Sequence, residues 1–284
     1  MVTTIIVLVA IGFVLGILIY VVNIFIPHRV KGLEKTEEIA AILPGTNCGA
    51  CGDAGCFGYA QMLTKDANQM IRNPCTLILR DSEALNRLEE TLGITIDASE
   101  MTKKAVIHCS GNSEVIYKYS GITSCKGAVQ LLSGYKKCPY ACLGFGDCLE
   151  VCPQNAIFID PDKGMAVVDQ EKCTGCGLCI IECPQKMIEL VPAQTKVALL
   201  CNYQTLRDIS GREKCNTGCI HCRKCLRACE YDAINWNTDR GIPEFDNDKC
   251  TLCRKCIEVC EPTTLVDFTV VRRTGEPHIT ASPV

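Results

Sequence analysis

Twenty-four of the 284 residues are cysteine, and they come in groups. Thiols at such density can pair as disulfides, grip zinc or cage iron and sulfide. Spacing separates the three. Cys173-x2-Cys176-x2-Cys179-x3-Cys183 is followed by Pro184. A tight loop lets its first three thiolates take three corners of one iron–sulfur cube, while the fourth, on the turn beyond, points to a second cube. A tetrahedral zinc site gains nothing from such crossed sharing.

The same spacing recurs at Cys250, Cys253, Cys256 and Cys260, with Glu261 before Pro262. It recurs again at Cys219, Cys222, Cys225 and Cys229, with Glu230 where proline is usual. A fourth run is irregular: Cys138-x3-Cys142-x5-Cys148-x3-Cys152-Pro153, with Phe145 where the third run has Cys222 and Cys138 as the available substitute. Crossed sharing then gives four [4Fe–4S] sites. They are Cys138, Cys142, Cys148 and Cys183; Cys173, Cys176, Cys179 and Cys152; Cys219, Cys222, Cys225 and Cys260; and Cys250, Cys253, Cys256 and Cys229.

A different motif precedes these: Cys48-x2-Cys51-x4-Cys56, then Cys75, interleaved with Gly45, Gly49, Gly52 and Gly55. Glycine lets backbone N–H groups approach an anionic sulfur core, so one cluster fits, with zinc as the alternative. Cys109, Cys125, Cys201 and Cys215 are left over. They are either a sixth cluster or buried free thiols, with Cys215 a spare ligand. Five clusters are expected and a sixth is arithmetically allowed.

The elements that must hold these thiols follow. An internal repeat at an offset of 77 residues matches eight cysteines and the Asp162-x-Gly164 and Asp239-x-Gly241 turns. Each copy reads as a cysteine run, a strand (Ala156–Ile159; Ala233–Trp236), a turn, a second strand (Met165–Val168; Pro243–Phe245) and another run. Upstream, Glu34–Leu43 reads as a helix stopped by Pro44-Gly45, and Asp81–Leu92 as a helix capped by Asp81 or Ser82 and stopped by Gly93. Residues 101–137 read as short strands and turns. Residues 5–26 carry no charge, enough to cross a hydrocarbon core of about 30 Å as a helix. No basic start or small-residue cleavage site marks them as a signal peptide. Arg29, Lys31 and Lys35 follow, which places the cluster domains on the cytoplasmic, reducing side, where disulfides are disfavoured.

The expected architecture is therefore α+β: a transmembrane anchor (1–30), a small [4Fe–4S] domain (31–95), a connector (96–137), two tandem bacterial-type 2[4Fe–4S] ferredoxin modules (138–200 and 201–270) and a tail (271–284). The net charge of −3 leaves no basic excess for nucleic acid. No G-x-G-x-x-G or P-loop is present, and no residue is expected to act as acid, base or nucleophile. The histidines, His28, His108, His221 and His278, show no ligand pairing. Basic residues flanking the runs, among them Lys172, Arg223, Lys224, Lys249, Arg254 and Lys255, are either a solvated face or a docking patch for an acidic carrier.

The order of span, Leu43-Pro44-Gly45-x2-Cys48-Gly49-x-Cys51-Gly52-x2-Gly55-Cys56 motif and tandem ferredoxin repeats resembles the B subunit of Rnf, the ion-translocating ferredoxin oxidoreductase complexes. Cys138-Pro-Tyr-Ala-Cys142-Leu-Gly-Phe-Gly-Asp-Cys148 resembles the longer members. The resemblance implies an electron-relay subunit of a translocase with no self-contained active site. It implies soluble ferredoxin as donor, other membrane subunits as partners, and coupling to Na⁺ or H⁺. Two rival readings are a polyferredoxin of a membrane hydrogenase or carbon-monoxide/acetyl-CoA enzyme, and a zinc-stapled scaffold.

Overall fold

The computed structural model describes residues 12–21, 33–111, 113–131, 133–202, 215 and 217–274. Residues 12–21 are helical, and their apolar side chains from Phe13 to Val21 are exposed. No helix among the described residues is long and apolar enough to cross a membrane, and the rest of the 5–26 span lies outside them. The chain divides into two compact units, Met1–Asn73 with Ser82–Thr95, and Pro74–Asp81 with Ile96–Val284.

The first unit is helical. Leu33–Ile42 buries Thr36, Ile39 and Ile42 against Cys56–Lys65, which buries Tyr59, Ala60 and Leu63. The Thr36 and Thr64 hydroxyls meet at 3.1 Å, and the Tyr59 hydroxyl donates to Asn73 O at 2.7 Å. The helix Ser82–Leu92 adds Leu85 and Leu88 and ends where the Gly93 N–H, at φ 70°, donates to Glu89 O. That is the left-handed stop that a C-terminal glycine supplies.

The second unit holds four antiparallel two-stranded ribbons. β2 (Ile157–Asp160) pairs with β3 (Met165–Val168), and β6 (Ile234–Asn237) with β7 (Ile242–Phe245). These are the hairpins expected from the repeat. The other two ribbons join distant segments. β1 (Lys103–Ile107) pairs with β4 (Ile188–Pro192), and β5 (Val197–Leu199) with β8 (Leu265–Asp267). Each ferredoxin module thus opens with a strand that precedes its first cysteine run and closes with the partner strand after its last. The segment 96–137 is not a bare connector: β1 belongs to the first module, and β5, within 138–200, belongs to the second.

Val106, Ala198, Val266 and Phe268 share one buried cluster, so the two outer ribbons pack on each other. His108 Nδ1 bonds Leu199 O at 2.6 Å across the same seam. Each module keeps its own core, in which apolar strand residues such as Ile157, Val168, Ile234 and Leu265 lie among the cysteines.

Candidate metal centres

None of the 24 cysteines is paired in a disulfide. Four cavities each have four cysteines in their walls. Cys152, Cys173, Cys176 and Cys179 line one; Cys219, Cys222, Cys225 and Cys260 another; Cys229, Cys250, Cys253 and Cys256 a third. In each, the structure brings three thiols of one run together with the last thiol of the other run.

The remaining cavity departs from the expectation. It is lined by Cys125, Cys142, Cys148 and Cys183. Burial pushes the Cys148 thiol up to about 12, helped by the sulfurs of Cys142, Cys183 and Cys125. Cys138, expected here, is elsewhere: its side chain interacts with those of Cys215 and Cys109. Cys125, expected with Cys109, Cys201 and Cys215, has taken its place. Two features cause the exchange. The Asp147 carboxylate accepts the amide N–H groups of Cys125 at 2.7 Å and Lys126 at 3.1 Å, which fixes the start of the helix Cys125–Val129. Phe145, at the position of a missing cysteine, packs tilted against Tyr119 and Tyr135. Ser124, whose hydroxyl accepts Gly127 N–H, is a legible helix cap in the sequence. Nothing in the sequence links it to Asp147.

Backbone donors face the sulfurs. Ala156 N–H donates to Cys152 Sγ and Ala233 N–H to Cys229 Sγ, each at 3.3 Å, in matching places of the two modules. Ala105 N–H approaches Cys173 Sγ at 3.5 Å and Ala166 N–H approaches Cys142 Sγ at 3.4 Å. Such donors stabilise thiolate charge and tune an iron–sulfur site. Two lysines add charge to the matching loops. Lys104 Nζ donates to Gln170 O and Cys173 O at 2.6 and 2.7 Å; Lys196 Nζ donates to Asn247 O and Cys250 O at 3.0 and 2.6 Å. Burial also raises Cys179 and Cys256 to about 12 and Cys225 to about 11, with neighbouring sulfurs adding to the shift. Metal binding at these thiols therefore releases protons.

The thiols fit a cage better than a single ion. Among the described residues no group of three or more His, Cys, Asp or Glu side chains is gathered tightly enough for one metal ion. Zinc needs four ligands roughly 2.0–2.3 Å from one centre. Four sulfurs distributed around one cavity suit a cube with one ligand per corner.

In the first unit Cys48, Cys51 and Cys56 sit on a loop wound through positive φ at Gly45, Asn47, Gly49, Gly52 and Gly55. Asn47 Oδ1 accepts the Cys56 N–H at 2.8 Å, and a Cβ at Gly55 would lie 2.7 Å from that oxygen. Burial raises the Cys51 thiol. Cys75 belongs to the second unit, where its carbonyl accepts Leu79 N–H.

Several basic residues beside the runs are ion-paired: Lys224 with Glu261, Lys255 with Glu230, Arg254 with Asp267 at 2.7 Å, and Lys126 with Glu182 at 2.5 Å. Of the histidines, His108 bonds Glu189 at 3.1 Å and His221 Nδ1 bonds Gly241 O. His28 and His278 lie outside the described residues.

Tandem ferredoxin modules with repeated four-thiol cavities define an iron–sulfur electron carrier of the polyferredoxin class. The 4Fe-4S dicluster family model matches residues 136–187 and 218–263, and an Fe-S cluster family model matches 43–69. The B subunit of the ion-translocating oxidoreductase complex of Methanosarcina acetivorans is 31% identical over 254 residues, covering 88% of this chain and 91% of the relative. The B subunit of the Na⁺-translocating ferredoxin:NAD⁺ oxidoreductase complex of Acetobacterium woodii is 33% identical, covering 86% and 72%. The B subunit of the proton-translocating ferredoxin:NAD⁺ oxidoreductase complex of Clostridium ljungdahlii is 32% identical, covering 81% and 79%. The chain belongs to the family of B subunits of ion-translocating oxidoreductase, or Rnf, complexes, and is an electron-relay subunit.

Proposed function

We propose that this chain carries electrons from soluble ferredoxin to the membrane subunits of a complex that moves Na⁺ or H⁺. It would be held at the cytoplasmic face of the cell membrane by a single span over residues 5–26. The observation that carries this reading is the fourfold repetition of a cavity walled by four thiols, in two modules built alike. When bound, a [4Fe–4S] cluster supplies reversible one-electron chemistry.

The ligands assigned are Cys125, Cys142, Cys148 and Cys183; Cys152, Cys173, Cys176 and Cys179; Cys219, Cys222, Cys225 and Cys260; and Cys229, Cys250, Cys253 and Cys256. Cys48, Cys51 and Cys56 belong to a further set on the strength of their spacing and the family match at 43–69, with Cys75 assigned to it by spacing alone. The rest of the chain orients these groups and keeps water from them. Ala156 and Ala233 hold the sulfurs of Cys152 and Cys229. Lys104 and Lys196 fix the loops at Cys173 and Cys250. Apolar strands, with Val168 and Leu265 at 6% and 3% exposure, lower the local dielectric.

The test uses the full chain purified without oxygen. A brown chromophore that bleaches on adding reduced ferredoxin, with a low-temperature paramagnetic signal, is expected. A colourless protein lacking acid-labile sulfide would overturn the reading. Partition of the full chain, but not of a chain lacking residues 1–30, into carbonate-washed membranes tests the span.

A further inference from the structure

The two modules hold matching cavities whose walls carry opposite charge. Positions 77 residues apart correspond, so Gly146, Asp147 and Ile159 of the first module stand where the second has Arg223, Lys224 and Trp236. Asp147 lines the cavity of Cys125, Cys142, Cys148 and Cys183. Arg223, Lys224 and Trp236 line that of Cys219, Cys222, Cys225 and Cys260. We infer that these wall charges order the two sites. The Asp147 carboxylate makes the first the low-potential one, Arg223 and Lys224 make the second the high-potential one, and an electron passes from the first module to the second. The inference rests on the iron–sulfur reading above and deepens it by assigning tuning residues and a direction.

Reduction adds one negative charge to a site. A cation in the wall stabilises that charge and raises the potential, and a carboxylate does the reverse. Asp147 is 8% exposed, so salt screens it little. Its position is fixed, because it accepts the Cys125 and Lys126 amides at 2.7 and 3.1 Å. Burial pushes the Cys125 thiol up to about 11, and the Asp147 charge adds to the shift. Among the described residues, no lysine or arginine lines this cavity. The nearby cations are engaged: Lys126 pairs with Glu182 at 2.5 Å, and Lys136 donates to Gly164 O at 2.7 Å.

In the second module the sign is reversed. The Arg223 guanidinium lies 4.8 Å from the centre of the Trp236 ring, and both side chains line the cavity. That cation–π contact holds the positive charge at the site. The Glu261 carboxylate pairs with Lys224 and keeps it basic, and the Cys222 sulfur adds to this. The pair offsets part of the Lys224 charge, which leaves Arg223 as the stronger tuner. Arg223 is exposed, so its influence falls with salt, while that of Asp147 persists. The outer cavities repeat the contrast in weaker form. Gly177 lines one and Arg254 the other, but Asp267 pairs with Arg254 at 2.7 Å. The larger step therefore lies between the Asp147 and Arg223 sites.

The step moves one electron. The first-module site is oxidised by one and the second-module site is reduced by one. No bond changes, and no proton or co-reactant is needed.

Potentiometric titration of the paramagnetic signals of the full, oxygen-free chain tests the order. The equilibrium constant for transfer from the first site to the second should be about tenfold or more, which is about 59 mV for one electron. Asp147→Asn should raise one component and Arg223→Gln should lower another, so each variant identifies its site. Arg223→Lys, which keeps the charge, should hold its component near the unvaried potential. Should Asp147→Asn or Arg223→Gln instead lose about four irons, the component that vanishes identifies the site, and its potential in the unvaried chain decides the order. The proposal is overturned if the Asp147 component lies at or above the Arg223 component. It is also overturned if either variant keeps its iron and leaves every component in place. A chain without iron and sulfide would instead overturn the iron–sulfur reading itself.

Discussion

The two ferredoxin modules set the same backbone with different residues. In the first, Gly144, Gly146, Gly175 and Gly177 all have positive φ, between 73° and 91°. At the same places in the second stand His221, Arg223, Leu252 and Arg254, with φ of 54°, 57°, 59° and 63°. A side chain there is strained by about 1–2 kcal/mol relative to glycine. At two of these places the reason the first module cannot do the same is visible. A Cβ at Gly175 would lie 2.3 Å from Lys103 O, and one at Gly144 would lie 2.6 Å from Gly164 O. The second module has a shorter outer ribbon, with three residue pairs against five, so Leu252 has room. Its His221 ring reaches the Gly241 carbonyl, the counterpart of the one that Lys136 Nζ meets in the first module.

The turns after the cysteine runs differ in the same sense. Pro153 and Pro184 follow the last thiol of each run in the first module. In the second, Glu230 and Glu261 follow instead, and each pairs with a lysine at the start of the opposite run's helix. The first module is therefore stiffened through its backbone, the second through charged side chains. The comparison teaches that one cluster scaffold tolerates two ways of fixing its loops.

The sharpest break would come from Gly175→Ala. Its Cβ would collide with backbone, and its φ of 73° disfavours any side chain. A loss of about 3 kcal/mol or more is expected, enough to cost the first module its fold and iron. Leu252→Ala, at the matching place, should cost about 2 kcal/mol or less, because Leu252 is only partly buried. Denaturation midpoints and iron content of the two variants decide it. Equal losses would remove the distinction between the modules.

The next effect should be common to both. Lys104→Met and Lys196→Met each remove a cation that donates to two loop carbonyls. Loss of charge-assisted bonds costs about 1.5–3 kcal/mol in each case. Withdrawal of positive charge should also lower the midpoint potential of the site at Cys173 or Cys250, read by potentiometric titration of its paramagnetic signal. A variant whose signal keeps its potential would show that the lysine acts on the loop alone.

How much of this was legible in the sequence depends on distance along the chain. The hairpins β2–β3 and β6–β7 close over a few residues, and the Asp-x-Gly turns announce them. The 77-residue repeat exposed both modules. The ribbons β1–β4 and β5–β8 join segments separated by whole cysteine runs, and their short apolar strands look alike, so no local signal pairs Lys103–Ile107 with Ile188–Pro192. The exchange of Cys125 and Cys138 has the same origin. Cys138 lies next to Cys142 in sequence, whereas Cys125 is brought in through Asp147, a contact made only once the chain has folded. Residues 22–32, the end of the apolar span and the stretch between it and Leu33, lie outside the described residues.

Arg254→Gly should move stability little at neutral pH. Relief of strain, about 1 kcal/mol, opposes loss of a pair to Asp267 worth about 0.2–1 kcal/mol. The pH dependence is more telling. Burial works against the charge of Asp267, but the Thr269 hydroxyl, Arg254 and the Thr269 amide outweigh it and hold its carboxyl below the usual range. A depressed carboxyl contributes stability above its unfolded pKa and loses it as pH falls through the folded one. Removing Arg254 should therefore shrink the acid-side loss of the second module. A variant with an unchanged acid limb would place the shift on Thr269 alone.

The smallest effect separates proline from ion pair. The Glu230–Lys255 and Glu261–Lys224 pairs are exposed, and each lysine is held more basic by its partner carboxylate. Exposed pairs contribute little, and at about 1 M salt the screening length falls to roughly 3 Å. Salt should then loosen the helix starts at Lys224 and Lys255 while leaving the turns at Pro153 and Pro184 alone. Hydrogen exchange at the Cys225 and Cys256 amides should quicken with salt, and that at Cys148 and Cys179 should not. Glu230→Pro should abolish the salt response on its side of the second module, because a ring would then supply what the charge does. If exchange in both modules responds alike to salt, the pairs do not hold the loops, and the contrast between the modules reduces to the glycine positions.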